Sequence, residues 1–343
     1  MKKHLLIIFI FALTYNNGTS RTLFDSSFKK LSSSNSFSPI ETDTLKIAKG
    51  WLRSSYWKNP VVTLDDHTRR RRTTGVTITN LTLYTSALAG LYTFWYSEYP
   101  QSNFHFYNDN QENLQMDKIS HSFGAYIEGR LSIEMWRWAG VSNRKAVLIG
   151  GLSGLAYEGI IETLDGFSAG WGWSWGDIGA NFVGTSLLLS QELGWHEQRI
   201  CLKYSTHINS YSNYSKPLQN KADDLFGTPF FRRLLEDYNA QTYWLSFNLK
   251  SFAKKSNLPD WLNLDIGYGV QGIFGSAKNF PEAEALGIER YRQWYFAPDI
   301  DFTKIKTKSK FVKYALIALN CFKFPTPSVE LSQGKVKWNW LHF

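Results

Sequence analysis

Acidic, amide and imidazole side chains recur four residues apart inside otherwise apolar segments between Asp117 and Gly184. This pattern constrains the fold more than any other feature of the chain. The stretch opens with Asp117-Lys118-Ile119-Ser120-His121 and continues through an apolar, glycine-dotted run to Glu158, Glu162 and Asp165. It closes, after a tryptophan-rich turn, with Asp177-Ile178-Gly179-Ala180-Asn181-Phe182-Val183-Gly184. Residues four apart share one face of a helix. Asp117 and His121 therefore share a face, Glu158, Glu162 and Asp165 a second, and Asp177, Asn181 and Gly184 a third. The apolar neighbours of Asn181 require its face to be buried, and a buried amide takes partners from adjoining elements. Asp117, His121, Glu162, Asp165, Asp177 and Asn181 are thus expected in one pocket between three helices.

Helices are expected at about 114–138, 144–164 and 176–194. Ser142-Asn143-Arg144 supplies an N-cap for the second and Ser174 opens a capping box for the third. Gly150, Gly151, Gly154 and Gly159 lie inside the second helix, where each costs about 1 kcal/mol relative to alanine. So many small residues imply close approach of another helix. Thr73–Ser97 contains no charged residue and ends at Tyr92, Trp95 and Tyr96 before Pro100. Its threonine and serine content suits a buried helix better than a membrane-embedded one, the alternative.

The chain starts with Lys2, Lys3 and His4, an apolar run Leu5–Leu13, and small residues at Gly18 and Ser20. That is the pattern of a secretory signal peptide over 1–20. A serine-rich linker and irregular segment, 21–72, comes next, then a helical core, 73–198. Beyond Trp195 the pattern changes to period two, clearest at Leu262–Val270 and Arg292–Phe302. A terminal hairpin turns at Gln333-Gly334. Residues 199–343 read as a strand-rich region forming a small antiparallel sheet, with helices near 223–237 and 309–322. The fold class is α+β, a helical core of about four helices followed by that sheet.

The formal net charge is +9 over 343 residues, and aromatic residues make up 16%. Export argues against nucleic acid as the partner and leaves solvated basic loops or contact with anionic headgroups at a membrane surface. Cys201 and Cys321 carry no spacing information, so a disulfide and two buried thiols both stay open. No nucleophilic serine motif, phosphate-binding glycine loop or zinc signature occurs. The polar set suits either an acid–base pair around His121 or a cation held by carboxylates. Its oxygen-rich composition makes magnesium, calcium or manganese the candidate divalent metal rather than zinc. Lys118, one turn from the cluster, is expected to face elsewhere. Asp165 reads also as a turn residue before Gly166, and Glu158 as solvent-facing.

The set Asp117-Lys118-x-x-His121, Glu162-x-x-Asp165-Gly166 and Ser174-x-x-Asp177-x-x-x-Asn181-x-x-Gly184 resembles the YfiM-like family of periplasmic lipoproteins of unknown function. It is similar, more remotely, to VanZ-like membrane proteins, which carry glutamine where this chain has Asp165. The wider run, with Phe104–Asn110 and Gln191-Glu192-Leu193, resembles longer envelope proteins of Bacteroidetes-type bacteria that join such a core to a strand-rich region. The resemblance covers about residues 75–195. It implies a periplasmic or outer-membrane-associated protein and a residue set, with no reaction attached. No lipobox cysteine follows the apolar start. The expected role is structural or binding, at the membrane surface; the alternative is an envelope hydrolase using the polar cluster on a lipid or cell-wall substrate.

Overall fold

The computed structural model describes residues 60–342, apart from Trp95 and Pro229. The signal and most of the linker lie outside the described residues. Four long helices come first: α1 (Asp66–Phe94), α2 (Met116–Trp138), α3 (Asn143–Gly166) and α4 (Trp175–Gly194). Then follow β1 (Ile200–Thr206), α5 (Lys216–Phe226), α6 (Phe230–Glu236), β2 (Gln241–Asn248), β3 (Leu262–Gln271), β4 (Tyr291–Ile300), α7 (Lys310–Leu319), β5 (Thr326–Ser332) and β6 (Lys335–His342). The fold is α+β, as the two periodicities imply.

The helix ends have local causes. Ser174 accepts hydrogen bonds from the backbone of Gly176 and Asp177, which starts α4. Before α2, Asn113, Leu114 and Gln115 all have positive φ, so the helix begins at Met116 and not at Leu114. The helix expected at 223–237 is two, α5 and α6, separated at Gly227 with φ +72°. The charge-free segment is helical but starts earlier, at Asp66. It is a surface helix and not a buried one, because only a stripe through Val76, Ala87 and Leu91 is buried while Ile78 and Leu81 face out. By length and composition α3 alone among the described helices is apolar enough to cross a membrane, and 44% of its most apolar window is buried in the fold.

α2 is the central helix, packed between α3 and α4. Glycine makes these contacts. A Cβ at Gly154 would lie 2.4 Å from the Ala125 carbonyl oxygen, and one at Gly184 would lie 1.9 Å from that of Ser122. Gly159, by contrast, faces open space.

The sheet is a six-stranded antiparallel meander in the order β1-β2-β3-β4-β5-β6. It curls far enough for the segment before β5 to meet β1. Tyr204 N donates to the Cys321 carbonyl at 2.9 Å, and Lys323 N to that of Tyr204 at 2.9 Å. The register aligns Leu245, Ile266, Phe296, Val329 and Trp338 in one row across five strands. These apolar residues occupy the outer, convex face. The inner face carries Lys203, Asp265, Asp299 and Glu330, all buried. Lys203 Nζ lies 2.5 Å from Asp299 Oδ2. Burial, and next the Asp299 carboxylate, raise the Asp265 carboxyl well above its ordinary range. Period two was legible in the sequence, but the apolar set points outward. Near β1–β3 the helices cover that outer face, and Leu202, Tyr204, Tyr243, Tyr268 and Val270 form one core with Met116, Phe123 and Tyr126. Cys201 and Cys321 are buried free thiols.

Gly184→Ala is expected to destabilise the fold by about 1–3 kcal/mol through overpacking against α2. Gly159→Ala should be neutral or stabilise by up to about 1 kcal/mol. Chemical denaturation midpoints of the two variants check the contrast.

Candidate functional site

The three polar helix faces converge on His121, at the end of the bundle where α2 and α4 begin. Its Nδ1 lies 3.2 Å from Asn181 Oδ1 and 3.5 Å from Glu158 Oε2. Its Nε2 lies 3.6 Å from Asp177 Oδ1 and 4.0 Å from Asp117 Oδ2. Asn181 is fully buried, and its amide oxygen is the acceptor for the ring. Burial works against charge on His121, but Asp177, Glu158 and Asp117 outweigh it and hold the ring protonated up to about 10.

Lys118 belongs to the site, contrary to the expectation that it faces elsewhere. Its Nζ is 2.6 Å from Asp109 Oδ1, 2.6 Å from Asp177 Oδ1 and 3.2 Å from Asp117 Oδ2. The ammonium thus joins the loop before α2 to the starts of α2 and α4. Burial opposes its charge, yet Asp117 and Asp177 raise its pKa above the ordinary lysine value. A helical wheel places residue 118 off the 117–121 line. The long lysine side chain reaches around that offset, which spacing does not reveal.

Glu162 and Asp165 flank this centre and do different work. Glu162 Oε1 accepts the backbone N–H of Ser174, fixing the entry to α4. Asp165 Oδ1 accepts the Tyr96 hydroxyl at 2.7 Å and lines the cleft, so it is more than a turn residue. Glu158 is fully buried and not solvent-facing. Asp109, Glu158, Glu128 and Tyr238 complete the surroundings. Glu128 stands seven residues beyond His121 on the same face of α2, a spacing that would have found it. Burial first, then Glu158, raise its carboxyl well above the ordinary range. Tyr238, from the loop before β2, directs its hydroxyl toward Asp117 Oδ1 at 3.4 Å.

Asp117, His121 and Asp177 form the floor of an open cleft of about 770 Å³ between the bundle end and the loops around α5, α6 and β3. Tyr99, Tyr107 and Trp171 form part of its walls. One ligand atom from each of the three floor residues lies within 4.8 Å of the others, spacing that suits a small cation. Lys118 already supplies positive charge between the two aspartates. Asp177 is pushed up to about 8, first by burial and then by Asp117 and Glu162, against the pull of His121 and Lys118. Carboxylates outnumber cations here, and a proton makes up part of the difference.

Residues 105–190 match the model of a family described as Predicted periplasmic lipoprotein (DUF2279). The matched segment contains α2, α3 and most of α4, with every floor residue of the cleft. The chain is similar to that family over this segment, which supports a periplasmic or envelope location. No curated protein and no solved structure matches the chain.

The two raised pKa values set the sign of a pH effect. His121 holds its proton to about 10 in the fold against a reference of 6.5, so its contribution is complete below pH 6.5 and lost as pH rises through 10. Asp177 has the same sign, with loss as pH rises through about 8 from its reference of 3.8. The melting temperature is expected to fall between pH 7 and 10, by roughly 3 °C or more. His121→Gln, which keeps a donor for Asn181, should flatten the slope. Thermal melts across that range measure it.

Proposed function

We propose that this chain is an exported protein of the cell envelope with a binding role, and that its cleft takes a ligand bearing positive charge. The observation that carries the reading is the convergence of Asp117 and Asp177 with His121 on the floor of an aromatic-walled cleft. Asp109, Glu112 and Asp165 line the same space, with Lys278 at its edge. A concave site with few polar groups convergent on one point is the usual form of a ligand pocket. Excess carboxylate favours a cation, and tyrosine and tryptophan faces add cation–π attraction for an organic ammonium group. The volume admits a small organic molecule. A divalent metal fits the oxygen-rich set, and the ammonium of Lys118 would then have to move away from Asp177. The YfiM-like and VanZ-like resemblance of the same residues accords with an envelope protein at the membrane surface.

A second reading is an envelope hydrolase acting on a lipid or wall component. The observation favouring it is the placement of His121 Nε2 3.6 Å from Asp177 Oδ1 at the cleft floor, an imidazole and a carboxyl group within reach of one bound molecule.

Calorimetric titration with magnesium, calcium and manganese chlorides, and separately with ethanolamine, tests the binding reading. Saturable binding by one of these is expected, weakened about tenfold in Asp117→Asn by loss of one charged contact. Absence of heat with every probe, together with turnover of an ester or glycan substrate lost in Asp177→Asn, would favour the hydrolase.

A further inference from the structure

We propose that the uncovered outer face of the C-terminal sheet seats in the acyl layer of an anionic lipid bilayer. A sheet built for water turns a polar face out, whereas this one turns an apolar face out and encloses several charged side chains. In β2 to β5 the inward set mixes the buried polar Ser246, Asp265, Asp299 and Glu330 with Trp244, Tyr295 and Ala297, while the outward set is the apolar row through Phe296 and Trp338. An apolar exterior around enclosed polar side chains is the pattern of strands whose outer solvent is lipid. The outward side chains are open: Trp338 is 55% exposed, Trp294 47% and Phe296 40%. The register makes them neighbours, since Phe296 is level with Val329 and Val329 with Trp338. They form one contiguous patch of the kind that marks an interaction surface.

Charge at one edge of the patch identifies the occupant. The β2–β3 connection and the segment after β4 lie at the same end of the sheet, joined where Asp301 N donates to the Trp261 carbonyl at 2.8 Å. That rim exposes Lys254, Lys255, Lys306, Lys308 and Trp261, with Asp260 as the exposed acid. Lysines and a tryptophan bordering an apolar band are interfacial anchors, the ammonium groups reaching headgroup phosphates and the ring lying at their level. Fluid lipid conforms to a convex face, whereas two rigid convex sheets would meet along a narrow strip. Because helices cover the β1–β3 part of the outer face, the sheet lies on the bilayer and does not pass through it.

Flotation of the full chain with vesicles of phosphatidylcholine, alone or mixed with phosphatidylglycerol, tests the proposal. The parent is expected to float with both, more completely with the anionic mixture. The double variant Phe296→Ser, Trp338→Ser should lose roughly tenfold in partitioning on both. Lys254→Glu with Lys255→Glu should lose several-fold on the anionic vesicles alone. The apolar segment Leu5–Leu13 is the same in all, so it cannot produce these differences. Quenching of tryptophan fluorescence by lipid brominated in the acyl chain should fall in the first variant, and far-ultraviolet dichroism should be unchanged in both. A parent that does not float, or a Phe296→Ser, Trp338→Ser protein that floats and quenches like the parent, overturns the proposal. So does a concentration-dependent dimer, seen by ultracentrifugation, that the same two substitutions abolish, because the face would then belong to a second copy.

Discussion

The ammonium of Lys118 is the charge on which the centre of the bundle depends. It lies within hydrogen-bonding distance of Asp109, Asp117 and Asp177, which come from three separate pieces of chain. Without it, carboxylates at the start of α2 and the start of α4 would face each other in a buried setting, where charge is poorly screened. The contact therefore sets how closely α4 approaches α2. Gly184, two turns beyond Asp177, permits that approach at the next level of the bundle, with no Cβ to meet Ser122. Charge pairing at one end and glycine packing further along are two parts of one helix interface.

The cluster's balance explains why it can be both structural and receptive. His121 is held charged by Asp177, Glu158 and Asp117, and its ring nitrogens are directed at Asn181 and the carboxylates. Buried polar networks of this kind impose one arrangement on the helices that contribute to them, because any slip strands a charge. Yet Asp117 and Asp177 also border the open cleft. The same two side chains thus face a dry interior on one side and a wet cavity on the other.

Much of this was legible in the sequence. Four-residue spacing identified the three faces, and the structure brings His121 and Asn181 to 3.2 Å. Period two located the strands, and the glycines of α3 announced tight packing. Three things were not legible. Lys118 is one residue off the polar stripe, and only side-chain length and the position of Asp109 in a distant loop bring it in. Glu162 shares a helix face with Glu158 but is captured by the backbone of Ser174, a contact set by the loop between α3 and α4. The direction of the alternating strands was ambiguous, because period two fixes which residues share a face and not which face is inside. The polar members of β3 and β4, Asp265 and Asp299, lie on the face that sheet curvature encloses.

The enclosed charges have a consequence for how the two halves hold together. The bundle centre is polar around His121, and the sheet interior is polar around Lys203 and Asp299. Buried ion pairs of this sort contribute little net stability, since desolvation offsets their attraction. Apolar burial supplies the driving force, in part from local clusters such as Leu91 with Tyr157 and Ile161, or Trp244 with Tyr295, and in good part from one shared layer. That layer lies between the halves, where Met116, Phe123 and Tyr126 of α2 meet Tyr204, Tyr243 and Tyr268 of the sheet. Half of it comes from each side, so neither half retains it alone. The family match ends at residue 190, before β1, and contains only the helical half of this layer. A chain limited to the matched segment would expose Phe123 and Tyr126 and would need some other cover for α2. Here the sheet is that cover, and the uncovered remainder of its outer face is what it leaves for the surroundings.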